Sequence, residues 1–349
     1  MNYAPEGATL SPFLIAEMAC AHEGEPARAR KLVDAAVAAG FDAIQIQIFR
    51  RTHQVGPHHR LYPLLGKLEL SDEAWESIVA RARQYEIDVY VFAYDVPSLE
   101  LALRLGVDGI KLSSADLSNP EMLRMASATG LPVTLGTGAS TLDEVAEALD
   151  IMRTAGPARV ILMHGMQNFP TSLADAQINR IALLRHAFGL PVGYQDHTDA
   201  ELPISRTIDM LALGLGATHL EKHITLSRAE KGTDYQAALE PLEMVDYVRT
   251  MREAALAAGA YGLHALNESD HRYRVFQKKR IVAARAIPAG TLLTREHLAF
   301  LRQDADVGLS PAYADDLIGR MLARDVDAYT PINLDDVAES AEHVYLMEA

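Results

Sequence analysis

Two histidines in short acidic contexts are the residues of this 349-residue chain whose types and spacing point most directly to chemistry. His197 follows Gly193-Tyr194-Gln195-Asp196, and His223 follows Glu221-Lys222. Neutral imidazoles are the commonest ligands of divalent transition metals, and a carboxylate such as Asp196 or Glu221 can orient them from behind. Two histidines leave an ion open to substrate oxygens, as a Lewis acid requires. Lys111, in Gly109-Ile110-Lys111-Leu112-Ser113-Ser114-Ala115-Asp116, alternates with apolar residues. Its ammonium therefore turns inward and needs an anion: a substrate carboxylate or phosphate, or an internal ion pair with Glu17 or Asp116. Asp116 is placed to act as a general base or to tether a sugar hydroxyl. Gln45 and Gln47 alternate with isoleucines in Ala43-Ile44-Gln45-Ile46-Gln47-Ile48-Phe49. Both amides then face one interior and need ligand, water or neighbouring strands as partners. Thr137-Gly138, shortly before the helix cap Thr141, offers a hydroxyl and flexible backbone that suit an anion.

These residues fall at the ends of short apolar runs that alternate with amphipathic stretches from residue 13 to 258. The predicted strands are Phe13 to Glu17, Ala43 to Phe49, Asp88 to Ala93, Gly109 to Ser113, Pro132 to Gly136, Arg159 to His164, Pro191 to Gln195 and Thr218 to Lys222. Helix signals lie between them: Asn119 before Pro120, the Thr141 and Glu144 capping box, and glycines 40, 106, 130 and 189 at helix ends. Eight strand–helix units in about 245 residues have the size of a closed TIM-type (β/α)₈ barrel, whose active site gathers at the C-terminal strand ends. A doubly wound open sheet is disfavoured, because no G-x-G-x-x-G follows the first strand. The expected division is a catalytic barrel over 1–258, a linker over 259–276 with weak periodicity, and a small β-rich module over 277–349.

The net charge of −15 argues against nucleic-acid binding. No apolar run approaches the roughly 20 residues of a membrane helix, and no basic stretch leads into an apolar core at the N-terminus. With one cysteine, Cys20, a reducing, cytoplasmic location is expected.

The blocks LIAEMACAHEG, DAIQIQIF, IKLSSADLSNPEML, LPVTLGTGASTLDEV, PVGYQDHT, HLEKHITL and KGTDYQAALEP resemble, in order, those of the N-acetylneuraminate (sialic acid) synthase family, and the C-terminal module resembles its SAF, or antifreeze-like, domain. The resemblance implies condensation of phosphoenolpyruvate with the open-chain aldehyde of an N-acylated sugar, giving a 2-keto acid and phosphate. It implies Mn²⁺, or Mg²⁺ or Co²⁺, on His197 and His223, phosphoenolpyruvate on Lys111, Ser114 and Thr137, proton handling by Asp116, and sugar hydroxyls on Glu17 and Asp234. It also implies a domain-swapped homodimer in which Arg302 reaches the partner's N-acyl group.

Three glutamines depart from that pattern. Gln45 stands where the family has a lysine, and Gln167 and Gln195 stand where it has small polar residues. Losing a charge-assisted bond to a dianion costs about 1.5 to 3 kcal/mol unless another group replaces it. The loop over 50–67, with His53, His58, His59 and Arg60, is either that replacement or a solvated loop. A metal-dependent aldolase using an unphosphorylated keto-acid donor is therefore the alternative activity.

Overall fold

The structure, a computed structural model, describes residues 11–259, 265–305 and 307–338. The chain divides into two compact units between Gly262 and Leu263. In the first, eight parallel strands pair in sequence order and close on themselves. They are β1 (Phe13–Glu17), β2 (Ala43–Ile48), β3 (Asp88–Ala93), β4 (Gly109–Leu112), β5 (Pro132–Gly136), β6 (Arg159–His164), β7 (Val192–Asp196) and β8 (His219–His223). Helices Pro26–Ala39, Asp72–Arg83, Val96–Arg104, Pro120–Ala128, Leu142–Ala155, Arg180–Phe188, Ile208–Gly214 and Pro241–Ala258 follow the strands in turn, which makes a (β/α)₈ barrel.

Local signals act as expected. Asn119 accepts a hydrogen bond from the Met122 amide, and the Thr141–Glu144 capping box forms. Gly40 and Gly189 end their helices at φ +86° and +64°, a conformation costly for other residues. Ile44, Ile46 and Ile48 are fully buried in one cluster with Leu32, Trp75 and Ile78 of the surrounding helices. Each such side chain contributes about 2 kcal/mol by leaving water. Inside the barrel, Ile15, Ala43 and Tyr90 form a separate cluster with Phe13 packed against it, so these side chains fill the lower end beneath the site.

Four strands differ from expectation: β2 ends at Ile48 rather than Phe49 and β4 at Leu112 rather than Ser113. β7 begins at Val192 rather than Pro191 and β8 at His219 rather than Thr218, and each runs one residue further. Pro191 has no N–H to donate, although its carbonyl accepts from the Leu162 amide at 3.0 Å. The shift makes His223 the last residue of β8 and His197 the first beyond β7.

The second unit runs from Leu263 to Ala349. The segment 259–276, expected as a linker, instead contains most of a helix, Glu268–Gln277, capped by Asn267 and Asp270; residues 260–264 lie outside the described ones. None of this helix's described side chains is buried, which is why the sequence shows no apolar periodicity there. Strands β9 (Arg280–Ala283) and β10 (Leu298–Leu301) pair antiparallel, with bridges from Val282 to Pro331 and from Ile287 to Val326. Ile281, Leu293, Leu317 and Ile332 lie in its own small core. No helix among the described residues is long and apolar enough to cross a membrane.

Candidate active site

The C-terminal ends of β7 and β8 bring His197 and His223 together, with ring centroids 5.0 Å apart. Alternation along β8 puts Glu221 on the face of His223, and ligand atoms of His197, Glu221 and His223 all lie within 4.8 Å of one another. Bonds of about 2.1 Å to a single ion need only slightly closer donors, so small side-chain rotations suffice. His197 Nδ1 lies 2.7 Å from the Met166 carbonyl, which can only accept. That nitrogen therefore carries the proton and Nε2 keeps the lone pair. Burial holds the His197 ring below its ordinary pKa, and burial with the facing His197 holds His223 well below it. Both rings are thus neutral donors, and the set fits a divalent cation. Phe169 packs edge-on against both, at 4.7 and 5.4 Å.

Beside them lies a buried charge cluster. Lys111 Nζ is bonded to Glu221 and lies 3.5 Å from Glu17 Oε2, with the Phe92 ring 4.9 Å away. Of the partners the sequence allowed for Lys111, the structure contains the internal pair with Glu17. Asp116 is not that partner: its carboxylate accepts from Asn119 at 3.0 Å, and burial pushes its pKa up. Burial also pushes the Glu17 carboxyl up to about 7, against the downward pull of Lys111. With both glutamates ionised the cluster carries one net negative charge, which suits a cation better than a free dianion.

The glutamines divide. Gln45 donates to Glu17, while its buried Oε1 has no hydrogen-bond partner. Gln47 is satisfied by neighbouring strands: it donates to Glu17 at 3.3 Å and accepts from the Tyr94 hydroxyl at 3.3 Å. Gln195 is buried opposite Glu221 in the strand register, and neither amide atom has a partner. Gln167 is exposed. Gln195 depends on Gly165, where an added Cβ would stand 2.2 Å from the Gln195 carbonyl oxygen and 2.4 Å from its Cγ. Gly138 in turn lies against the Gly165 carbonyl and near Ser114 Oγ, so these glycines let the ends of β4 to β7 approach closely. Thr137 spends its hydroxyl on the Met163 carbonyl at 3.1 Å.

Asp234 sits at φ +57°, and burial together with Glu23 pushes its carboxyl up to about 6. Glu23 accepts from the Thr233 amide, which holds that segment near the loop after β1. His53, His58, His59 and Arg60 are exposed, Arg51 stacks on Tyr62 at 4.4 Å, and Arg50 pairs with Asp72. Arg302 is an exposed residue of the second unit.

Asp196 faces outward and pairs with Lys222, so it stands behind the histidines, while Glu221 lies on the site face with them. The outward face of Lys222, and the place of Glu221 among the donors rather than behind them, were both open to the alternation rule in Glu221-Lys222-His223. The packing of Phe169 left no sequence signal, because it depends on how the loop after β6 folds back.

A family model described as the NeuB family matches residues 32–262, and one described as the SAF domain matches residues 279–338. The chain is 28% identical over 346 residues to an N,N'-diacetyllegionaminic acid synthase of Legionella pneumophila, covering 94% of this chain and 95% of that one. It is 30% identical over 253 residues to an N-acetylneuraminate-9-phosphate synthase of Drosophila melanogaster, covering 67% and 65%. The crystal structure of an N-acetylneuraminic acid (sialic acid) synthetase from Leptospira borgpetersenii in complex with citrate matches with a TM-score of 0.70 at 26% identity, over 78% of this chain and 95% of that one.

Proposed function

Because the chain belongs to the NeuB family, we propose that it condenses phosphoenolpyruvate with the aldehyde of an N-acylated sugar. The products are a 2-keto acid of the nonulosonic type and phosphate, with one water consumed. The observation that carries this reading is the joint presence, at one end of the barrel, of a neutral histidine pair and a buried lysine shared between two glutamates. A divalent ion, Mn²⁺ before Mg²⁺ or Co²⁺, held by His197, His223 and Glu221, supplies Lewis acidity toward the aldehyde oxygen.

The remaining work falls to the chain. Lys111 exchanges Glu17 for the donor's carboxylate, a trade between two charge-assisted bonds that balances when the released Glu17, with its pKa of about 7, takes up a proton. Ser114 and Thr137, with the close-packed Gly138 and Gly165 backbone, border the donor's phosphate. Glu17, whose pKa of about 7 lets it hold or release a proton near neutrality, serves a sugar hydroxyl together with Asp234. Asp116 handles the second proton. Gln45, Gln167 and Gln195 bind substrate through neutral amides, Gln47 braces Glu17 beside them, and Phe169 keeps bulk water off the histidines. From the resemblance we also infer a cytoplasmic homodimer in which Arg302 serves the partner's barrel.

Phosphate release from phosphoenolpyruvate, measured with Mn²⁺ over a panel of N-acetylated aldoses, tests the reading. Gln45 favours a second one, since a neutral amide bonded to Glu17 stands where the family has a lysine. Consumption of an unphosphorylated keto acid, with no phosphate released from phosphoenolpyruvate by any sugar, would establish the aldolase instead.

A further inference from the structure

On the outer face of β7 and β8, behind the histidines, lies a charge cluster that the proposed reaction does not use. The Lys222 ammonium is bonded to Asp196 and to the Ser205 carbonyl, and it lies 3.0 Å from Asp209 Oδ2. The side chains of Lys222, Asp196 and Asp209 are fully buried, and the Tyr247 ring lies 5.4 Å from the ammonium. Lys222 and Asp196 are paired residues in the parallel register, so the ion pair runs straight across the two strands. Each also immediately precedes one of the histidines that face the other way.

The cluster holds the backbone as well. Asp196 accepts from the Thr198 amide at 3.1 Å and the Thr198 hydroxyl at 2.9 Å, which closes a turn around His197, and from the Tyr194 hydroxyl at 3.0 Å. The histidine carbonyls are tied on the other side, His197 to the Thr171 amide at 2.7 Å and His223 to the Leu239 amide at 2.8 Å. Burying three charges behind a strand pair is weak evidence of stabilisation, since apolar groups of like size often do as well. In some proteins buried charged groups instead fix one register and one orientation, and here the pair runs straight across the register of the two histidine strands.

The geometry points to Asp196–Lys222, anchored on Asp209 and Ser205, as a clasp that positions His197 and His223 to share one divalent cation. These are positioning residues acting through the histidines. The inference rests on the reading of His197, Glu221 and His223 as the metal donor set.

Two full-length variants test it. In the triple variant Asp196→Asn, Lys222→Met, Asp209→Asn every charge of the clasp is removed together, so no buried charge is stranded. In Asp196→Glu every charge is kept and one arm is lengthened by a methylene. Mn²⁺ affinity is measured by electron paramagnetic resonance without substrates, folding by thermal unfolding, and histidine geometry by crystallography of the metal-free protein. Both variants are expected to unfold cooperatively, to bind Mn²⁺ at least about tenfold more weakly, as losses of supporting groups around metal ligands do, and to show a changed separation of the histidine rings. Arg252→Met, which breaks the ion pair with Asp42, should lower the melting temperature and leave Mn²⁺ affinity unchanged. The clasp is overturned if both variants keep wild-type Mn²⁺ affinity and the 5.0 Å ring separation. It is overturned too if only the charge-deleted variant binds weakly, since that marks electrostatics without positioning, or if Arg252→Met weakens Mn²⁺ equally. A wild-type protein that binds no Mn²⁺ sinks the metal reading itself; the ring separation in the metal-free variants then still decides whether the clasp sets the histidine geometry.

Discussion

A histidine that is to bind a cation has to refuse a proton, and burial at the strand ends does this for His197 and His223. Replacing either with Ala should therefore abolish stoichiometric Mn²⁺ binding by the purified protein while leaving the fold cooperative, because neither ring belongs to the layers that fill the barrel. Both variants retaining metal at wild-type affinity would place the ion elsewhere. Asp234 shows the opposite effect of burial, on a group that loses its charge. Its carboxyl has a pKa of about 6 in the folded chain against 3.8 ordinarily, so the folded state holds the proton more tightly than the unfolded one. The stability this contributes is fully present below about pH 4, declines as pH rises to about 6, and changes no further above that. Asp234→Asn is neutral throughout, so its melting temperature relative to wild type should rise between pH 4 and pH 7. A difference that stays flat across that range in calorimetry would show that the carboxyl is not held protonated.

At the scale of elements, the period of two decides which of two adjacent residues reaches the site. It was legible in β2, where Gln45 and Gln47 turn inward between buried isoleucines, and in the inward ammonium of Lys111. The same rule, applied to Glu221-Lys222-His223, separates Lys222 from the site, but its partner Asp209 lies on a helix that only the fold brings near. Being next to His197 in sequence says nothing about which face Asp196 takes; alternation with the inward Gln195 is what turns it outward, behind the histidines. Contacts between loops and strand ends were not legible, since no periodicity governs them, and Gly165 against Gln195 is the sharpest of these. Gly165→Ala forces a Cβ into the backbone of β7 and should cost about 1 to 3 kcal/mol, as overpacked sites do. Because Gln195 is two residues before His197 on the same strand end, the variant should also raise the Michaelis constant for the donor more than that for the sugar. Urea unfolding and initial rates check the two effects, and a variant with wild-type stability would mean the strand end yields freely.

The whole molecule is strongly acidic, at −15, so attraction for an anionic donor must come from cations concentrated locally rather than from its overall field. For that donor the barrel supplies Lys111 and a metal-binding set, and in the homodimer we infer the sugar's N-acyl group is met by Arg302, an exposed residue on a unit with its own small core. Whether Arg302 serves its own chain's barrel or its partner's has a countable consequence. Suppose Arg302→Ala and His223→Ala proteins, each expected to be nearly inactive, are mixed in equal amounts and allowed to exchange subunits. About half the dimers are then mixed, by random pairing of two-fold symmetric subunits. If Arg302 acts across the dimer, each mixed dimer has one site with both defects and one with neither, so about a quarter of all sites are intact. If Arg302 acts within its own chain, every site in every dimer keeps one defect and mixing restores nothing. Recovery toward about a quarter of wild-type phosphate release after exchange therefore identifies a site completed by the second subunit. Residual rates that merely add, or a chain that sediments as a monomer at assay concentration, would show that each barrel works without its neighbour.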